Sequence, residues 1–149
     1  MLTQLFFAEW SEARTRFTNL LSQLTENDLT KKNGQSPNSA GFLVRHILEV
    51  ELLFAKNVFR NPEVQIVAKT VISKKDTGEW TDLISLQELN QYATKSLSDA
   101  ILKQTEEDWF ELISTQEFGT KSKAQALGRI VSHTAYHAGQ LALVLKYGH

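Results

Sequence analysis

The 149-residue chain contains no cysteine and only two prolines. Without cysteine it can form no disulfide, no thiolate-ligated zinc site, no iron–sulfur cluster and no thiol nucleophile of its own. The absence of cysteine suits a reducing compartment, and we predict a cytoplasmic protein. No apolar run is long enough to span a membrane. Charges at Glu9, Glu12 and Arg14 interrupt the N-terminal segment before the apolar core of a signal peptide could form.

The chain also lacks an excess of charge of either sign, with 16 Lys and Arg against 17 Asp and Glu. A nucleic-acid-binding protein normally carries a basic face, and a membrane-surface protein a polybasic segment. We therefore predict neither nucleic acid nor membrane as a partner. The composition, 42% hydrophobic and 22% charged, is typical of a soluble globular protein. The length is that of one compact domain, so we predict a single domain over residues 1–149.

Helical periodicity dominates what the chain does contain, with apolar residues recurring at steps of three and four. Residues 60–84 and 105–120 lack this repeat. We interpret the first as a long crossover connection with room for one short helical turn, and the second as an irregular connection. Four helices without a sheet predict an all-α fold, a four-helix bundle with a long connection between helices 2 and 3. The predicted helices cover about Leu2–Leu24, Asn38–Phe59, Ser85–Lys103 and Ser122–Lys146.

Local signals predict where these helices begin and end. Ser36-Pro37 marks the start of helix 2, because proline is favoured at the first helical position. Ser85 and Glu88 predict a capping box at the start of helix 3. Gly148 follows helix 4 as a C-terminal glycine commonly does. Gly139, in the middle of helix 4, costs stability relative to alanine; the close approach of another helix or of a substrate would explain it, and we favour the packing of a helix.

Three of the four histidines lie on helix faces predicted to point into the core. His133 and His137 are four residues apart, which places them about 40° apart around one helix and about 6 Å apart along it. His46 lies on the apolar stripe of helix 2. Converging imidazoles would repel when charged and lack partners when neutral, and a divalent cation relieves both costs. Imidazole suits Zn, Ni, Cu and Fe. The alternative is three core histidines bonded to nearby acceptors.

The segment HTAYHAGQLALVLKYG, preceded by His46 about ninety residues earlier, resembles the DinB-like/YfiT-like superfamily of metal-dependent enzymes. The resemblance covers essentially the whole chain. It implies a four-helix bundle, often dimeric, that holds a divalent metal ion, most often Ni or Zn, on three histidines. Carried onto this chain, the metal ligands are His46, His133 and His137. The resemblance also implies a homodimer and a small-molecule substrate.

The activities assigned in that superfamily suggest two reaction classes. Some members are thiol-dependent transferases or isomerases that use bacillithiol, mycothiol or glutathione, and others are described as metal-dependent hydrolases. Since this chain has no cysteine, a thiol nucleophile would have to be an external low-molecular-weight thiol. We narrowly favour thiol transfer over hydrolysis. The competing hypotheses are a protein that binds a small ligand without turnover and a dimeric interaction bundle without metal.

Several other polar residues could surround the metal. Gln140 could orient a ligand histidine or hold a metal-bound water, or it could make a helix-packing hydrogen bond. Glu49, three residues after His46, could orient a ligand, act as the catalytic general base or serve as a fourth ligand. A solvated carboxylate at the edge of the stripe is the interpretation we favour. Arg129 and Arg45 could bind a substrate carboxylate or be surface charges, and Tyr136 flanks the histidine pair on the side of Arg129.

Overall fold

The computed structural model describes all 149 residues and is mostly helical, which broadly confirms the predicted all-α class. A short antiparallel hairpin, β1 (Leu112–Thr115) and β2 (Gly119–Ser122), is added to the helices. None of the helices combines the length and the hydropathy that crossing a membrane requires. The helices are α1 (Leu2–Gln23), α2 (Ala40–Leu53), α3 (Lys69–Ser73), α4 (Leu83–Leu102) and α5 (Lys123–Tyr147).

Helix α2 is the centre of the molecule, with eleven of its fourteen residues buried. A helix that is apolar on nearly every side is stable only when neighbours cover all of it. Here α4, α5 and α3 pack around α2, and α1 packs against α4 and α5. The buried apolar side chains form one continuous core of 31 residues. Any polar side chain on α2 is therefore placed inside the protein and needs a partner there.

The predicted starts of helices 2 and 3, Asn38 and Ser85, each differ by two residues from the observed starts, in opposite directions. Helix α2 begins at Ala40, and its N-cap is Ser39, whose hydroxyl accepts a hydrogen bond from the Phe42 N–H at 3.1 Å. Helix α4 begins at Leu83, because the carboxylate of Asp82 accepts the Ser85 N–H at 3.2 Å. Aspartate and serine are comparable N-caps, so a nearby alternative cap decides each boundary.

The predicted ends of helices 2 and 4 are close to those observed. Helix α2 continues into a π-helical turn at Phe54–Val58, closed by a hydrogen bond from the Phe59 N–H to the Phe54 carbonyl at 3.0 Å. Gly148 follows α5, but its φ of −75° is not left-handed. Lack of space explains this glycine, because a Cβ there would collide with the Val144 carbonyl oxygen.

The close packing expected at Gly139 is wrong. A Cβ at this position would have no heavy atom within 4 Å. Gly139 instead lines an open groove of about 570 Å³ between α1 and α5, where Ala135 and Ala138 are its neighbours. The absence of a side chain therefore leaves space on the surface rather than admitting another helix.

The expectation of an irregular connection at residues 105–120 is also wrong in part. Antiparallel pairing of β1 with β2 runs from Leu112 opposite Ser122 to Thr115 opposite Gly119. Gly119 has a φ of +73°, a backbone conformation that glycine adopts without steric cost. Strands of four residues are too short for an alternating pattern to reveal them.

The crossover between α2 and α4 contains the short helix α3, which confirms the predicted helical turn. The crossover lies against the start of α2 at Gly41. A Cβ on Gly41 would collide with the carbonyl oxygen of Trp80, so glycine allows the backbone of the crossover to pass directly over the helix. This close approach brings Thr70 of α3 against the middle of α2.

Candidate metal centre

The structure brings His46, His133 and His137 together at the interface of α2 and α5. Their ring centroids are 5.1 Å apart for His46 and His133, 4.8 Å for His46 and His137, and 4.5 Å for His133 and His137. One ring nitrogen of each lies within 4.8 Å of those of the other two, and all three side chains are half-buried. The predicted convergence is therefore observed, while ligation of a metal stays a prediction.

His46 is held in one orientation by the crossover. Its Nδ1 lies 3.0 Å from the hydroxyl oxygen of Thr70, and its ring stacks parallel to Phe42 with centroids 5.8 Å apart. The Thr70 hydroxyl donates its own hydrogen to Glu49 Oε1 at 2.5 Å, since a carboxylate only accepts. Thr70 therefore accepts from the Nδ1–H of His46, and the Nε2 lone pair is left free.

His137 is oriented in the same way by a residue of its own helix. Its Nδ1 lies 2.7 Å from the Oε1 of Gln140. The side-chain oxygen of Gln140 can only accept, so the Nδ1 of His137 carries the proton and its Nε2 is free. This contact is the orienting role considered for Gln140 in the sequence.

His133 is the exception, because no protein group binds it. Its Nδ1 is buried and has no hydrogen-bond partner, one of only three buried side-chain polar atoms in the protein in this condition. A buried nitrogen without a partner costs about 1–3 kcal/mol. No other titratable side chain of the core has a buried polar atom without a partner. The chain therefore supplies no partner for the Nδ1 of His133.

Burial keeps the imidazoles of His46 and His133 uncharged. It lowers the pKa of His46 to about 4, helped by the charge of His137 and opposed by that of Glu49. It lowers the pKa of His133 to about 3, with His137, His46 and Arg129 acting in the same direction. Neutral imidazole is the form that binds a metal ion. At neutral pH each of the two side chains therefore has one N–H group and one free lone pair.

The donor set fits a divalent metal ion. Three imidazole nitrogens are a common set for zinc and other late transition metals, with an open position for water or substrate. Tetrahedral Zn–N bonds of about 2.0–2.1 Å hold two nitrogens roughly 3.3 Å apart. The nitrogens of the three rings lie within 4.8 Å of one another, so binding an ion would require them to approach by up to about 1.5 Å.

Glu49 is not the solvated carboxylate that we favoured from the sequence. Its side chain is fully buried, and both oxygens accept hydrogen bonds. Oε1 accepts from the backbone N–H of Thr70 at 2.8 Å and from the Thr70 hydroxyl, and Oε2 accepts from Arg45 Nε at 2.5 Å. Glu49 is absent from the group of side chains whose ligand atoms converge. It acts on His46 through Thr70.

Arg129 and Tyr136 lie at the solvent side of the cluster. Arg129 is 46% exposed and pairs with Glu117 at 3.6 Å, and its charge lowers the pKa of His133. Tyr136 is 67% exposed, and its ring meets that of His137 edge to face at 5.1 Å. Both side chains are thus accessible from solvent and close to a histidine.

Two cavities lie along α5 near the cluster. A cavity of about 170 Å³ lies next to Gln140 and Leu43. The larger groove between α1 and α5 contains none of the three histidines. The cavity of about 170 Å³ is not lined by a histidine either, and it reaches the cluster through Gln140, which binds His137.

Sequence reasoning missed Thr70, and it suggested substrate binding or a surface charge for Arg45 rather than the observed ion pair with Glu49. Thr70 is 24 residues from His46 along the chain and 1% exposed. No periodic pattern links it to the histidines. The only available signal was the long connection itself, since connections of this length without structure are uncommon and often functional.

Comparison with known proteins adds the family. A model of the DinB family matches residues 1–148 of the chain. No curated protein and no solved structure matches it. The match therefore covers α2, the crossover and α5, the three segments that build the cluster.

Proposed function

The chain belongs to the DinB family, and from its three-histidine cluster we propose that it is a metal-dependent enzyme that transfers a small molecule onto a low-molecular-weight thiol. The observation that carries the proposal is the convergence of His46, His133 and His137, with the Nδ1 atoms of His46 and His137 engaged elsewhere. The ion would be nickel or zinc. When bound, a divalent ion supplies a Lewis acid that lowers the pKa of a thiol or a water molecule bound to it.

The surroundings of the cluster favour a thiol over water as the nucleophile. Hydrolysis requires a proton to be taken from water, whose pKa is about 15.7, while a free thiol ionises near 8.5. Glu49 is the carboxylate nearest to His46, and it is bound to Thr70 and Arg45. A thiol needs less help from such a base. In the transfer, the thiol gives its proton to solvent, its sulfur bonds to the electrophilic carbon, and the leaving group departs with the electron pair of the broken bond.

The exposed residues beside the cluster suit a small substrate that carries a negative charge. Arg129 offers a guanidinium that can bind a carboxylate in a bidentate manner, and its ion pair with Glu117 at 3.6 Å is loose enough to be exchanged. Tyr136 presents an exposed ring beside His137. The adjoining cavity of about 170 Å³ is smaller than the roughly 300–1,000 Å³ of usual ligand sites, so we expect a small electrophile.

Metal content is the first test. Untagged protein, reconstituted with Ni²⁺ or Zn²⁺, dialysed and measured by elemental mass spectrometry, should retain about one equivalent of metal. The matched control is the triple variant His46→Ala, His133→Ala, His137→Ala, which should retain none. Equal metal in both proteins, or none in either, would remove the basis of the proposal.

Turnover is the second test and separates an enzyme from a binding protein. The metal-loaded protein should accelerate the reaction of glutathione or bacillithiol with 1-chloro-2,4-dinitrobenzene, and the triple variant should not. Hydrolysis of p-nitrophenyl acetate without thiol would favour the hydrolase alternative. Metal binding without either reaction would favour a protein that holds a small ligand without turnover.

We infer in addition that the four long helices form a four-helix bundle, because α1 and α2 each pack against both α4 and α5. The homodimer and the cytoplasmic location stay predictions. Sedimentation equilibrium tests the first, since a dimer has twice the 16.9 kDa of the single chain.

A further inference from the structure

We infer that Thr70 is a positioning residue for the metal site: its hydroxyl selects the Nδ1–H tautomer of His46 and so directs the Nε2 lone pair of that ring to the ion. The inference rests on the proposed metal site but concerns a residue outside the three histidines. It also gives the crossover between α2 and α4 a part in the site, because α3 carries Thr70.

The hydrogen-bond directions around Thr70 leave one outcome for His46. The side chain of Thr70 has one hydrogen to donate, and Glu49 Oε1 takes it at 2.5 Å. The oxygen that remains can only accept, and the group facing it at 3.0 Å is His46 Nδ1. His46 must then carry its proton on Nδ1. The Nε2–H tautomer would place two lone pairs against each other at this contact.

The burial of the contact makes the selection strong. Thr70 is 1% exposed and Glu49 is fully buried, so water has no access to replace the hydroxyl. The direction of the Thr70 hydrogen is also set from a second side, because the Thr70 backbone N–H binds the same Glu49 oxygen at 2.8 Å. Two bonds from one residue to one carboxylate oxygen hold the threonine in place.

Arg45 fixes the other end of this chain of contacts. Its Nε binds Glu49 Oε2 at 2.5 Å, and its Nη2 binds the carbonyl oxygen of Val67 at 3.3 Å. Its guanidinium lies 5.0 Å from the centroid of the Trp80 ring, a favourable cation–π distance. Arg45 therefore ties Glu49 to the crossover before and after α3. The carboxylate cannot turn away from Thr70 without breaking contacts on both sides.

A purely structural role for Thr70 predicts a different result. If Thr70 only anchors α3 to Glu49, removal of its hydroxyl would lower stability and leave metal affinity and the tautomer of His46 unchanged. Thr70→Val tests this, because valine keeps the shape and the backbone N–H of threonine but has no hydroxyl. Thr70→Ser is the matched control, which keeps the hydroxyl and loses only a methyl group.

Two measurements test the inference. Competition with a chromophoric chelator gives the affinity for Zn²⁺, and we expect Thr70→Val to bind about 10–100-fold more weakly than wild type, with Thr70→Ser within a few-fold of it. Imidazole ¹⁵N shifts in metal-free protein at pH 7.5 give the tautomer directly. We expect the Nδ1–H form of His46 in wild type and Thr70→Ser, and a mixture or the Nε2–H form in Thr70→Val.

The results separate this inference from the proposed function. An Nε2–H tautomer in metal-free wild type, or equal Zn²⁺ affinity in Thr70→Val and wild type, would overturn the role of Thr70. Failure of wild type to bind metal would overturn the proposed function, while the tautomer measurement would still decide what Thr70 does to His46. If Thr70→Val does not fold, the wild-type tautomer decides alone.

Discussion

The two buried glutamates of α2, Glu49 and Glu51, lie two residues apart and belong to polar clusters of opposite character. Glu51 binds Arg14 of α1 through both oxygens, at 2.9 and 3.0 Å, and Arg14 also donates to Asn90 of α4 at 2.8 Å. Every strong donor and acceptor there has its partner within the protein. Glu49 leads through Thr70 to His46, where the contacts end at free ring nitrogens.

This difference separates a structural cluster from a ligand site. The guanidinium and carboxylate of Arg14 and Glu51 neutralise each other and link three helices, so they have no capacity for a further ligand. No carboxylate binds a ring nitrogen of the three histidines directly, and His133 Nδ1 has no partner at all. A cluster whose polar groups all have partners within the protein makes the packing more specific. A cluster that ends in unpaired lone pairs requires a partner from outside the protein.

The largest expected effect on stability comes from disrupting the cluster of Arg14, Glu51 and Asn90, whose polar groups all have partners. Arg14→Ala leaves Glu51 charged and buried without a partner, which we expect to lower the free energy of unfolding by about 3–5 kcal/mol. Urea denaturation measures the loss. The control is Lys95→Ala, which breaks the exposed pair with Asp99 and should cost under about 1 kcal/mol. Similar losses in the two variants would show that the buried cluster has no special structural role.

The second largest effect on stability is expected when a metal ion is supplied to the three histidines. Zn²⁺ at 100 times its dissociation constant should raise the free energy of unfolding by about 2.7 kcal/mol, because the ion binds only the folded protein. Thermal or urea unfolding with and without ZnCl₂ measures the gain. Arg14→Ala should show the same gain on its lower baseline, and the triple histidine variant should show none. Stabilisation of the triple variant by Zn²⁺ would place the binding elsewhere.

A change of pH should have a smaller effect on the stability of the metal-free protein, because the imidazoles are only half-buried. The folded pKa values of His46 and His133 are about 4 and about 3, below their ordinary 6.5. Between pH 6.5 and 4 the unfolded chain binds more protons than the folded protein. The free energy of unfolding therefore has its full value above pH 6.5 and falls as the pH drops towards 4. Urea midpoints from pH 7.5 to 4.5 test this. A triple histidine variant with the same pH slope as wild type would contradict the expectation.

The smallest effect is expected at Gly139, which is close in sequence to His137 but belongs to neither cluster. Gly139→Ala should raise stability by about 0.8–1 kcal/mol, because alanine favours the helix and the space is free. Zn²⁺ affinity should not change. Gly41→Ala is the matched control of opposite sign, since its Cβ would collide with the crossover at Trp80. A loss of stability in Gly139→Ala would show that the groove is not open in solution.

The helices could be predicted well from the sequence, whereas the contacts between segments that are distant along the chain could not. Periodicity reports which face of a helix is buried, so the positions of His46, His133 and His137 on inward faces followed from spacing alone. Capping was ambiguous because Asp82 and Ser85 compete for one helix start. The burial of Glu49 could not be foreseen, since two of its three hydrogen-bond donors are the backbone N–H and the hydroxyl of Thr70, 21 residues away. Contacts between distant segments depend on tertiary packing, which no local pattern encodes.

The stacking of Arg45 on Trp80 has a spectroscopic consequence. The other two tryptophans, Trp10 and Trp109, are 4% and 0% exposed in the apolar core. Trp80 is partly exposed and is connected to His46 through Arg45, Glu49 and Thr70. An indole is sensitive to the charge beside it, so its fluorescence should respond when the site fills. With Trp10 and Trp109 replaced by phenylalanine, the emission of the single remaining indole would follow loading of the site without any added dye.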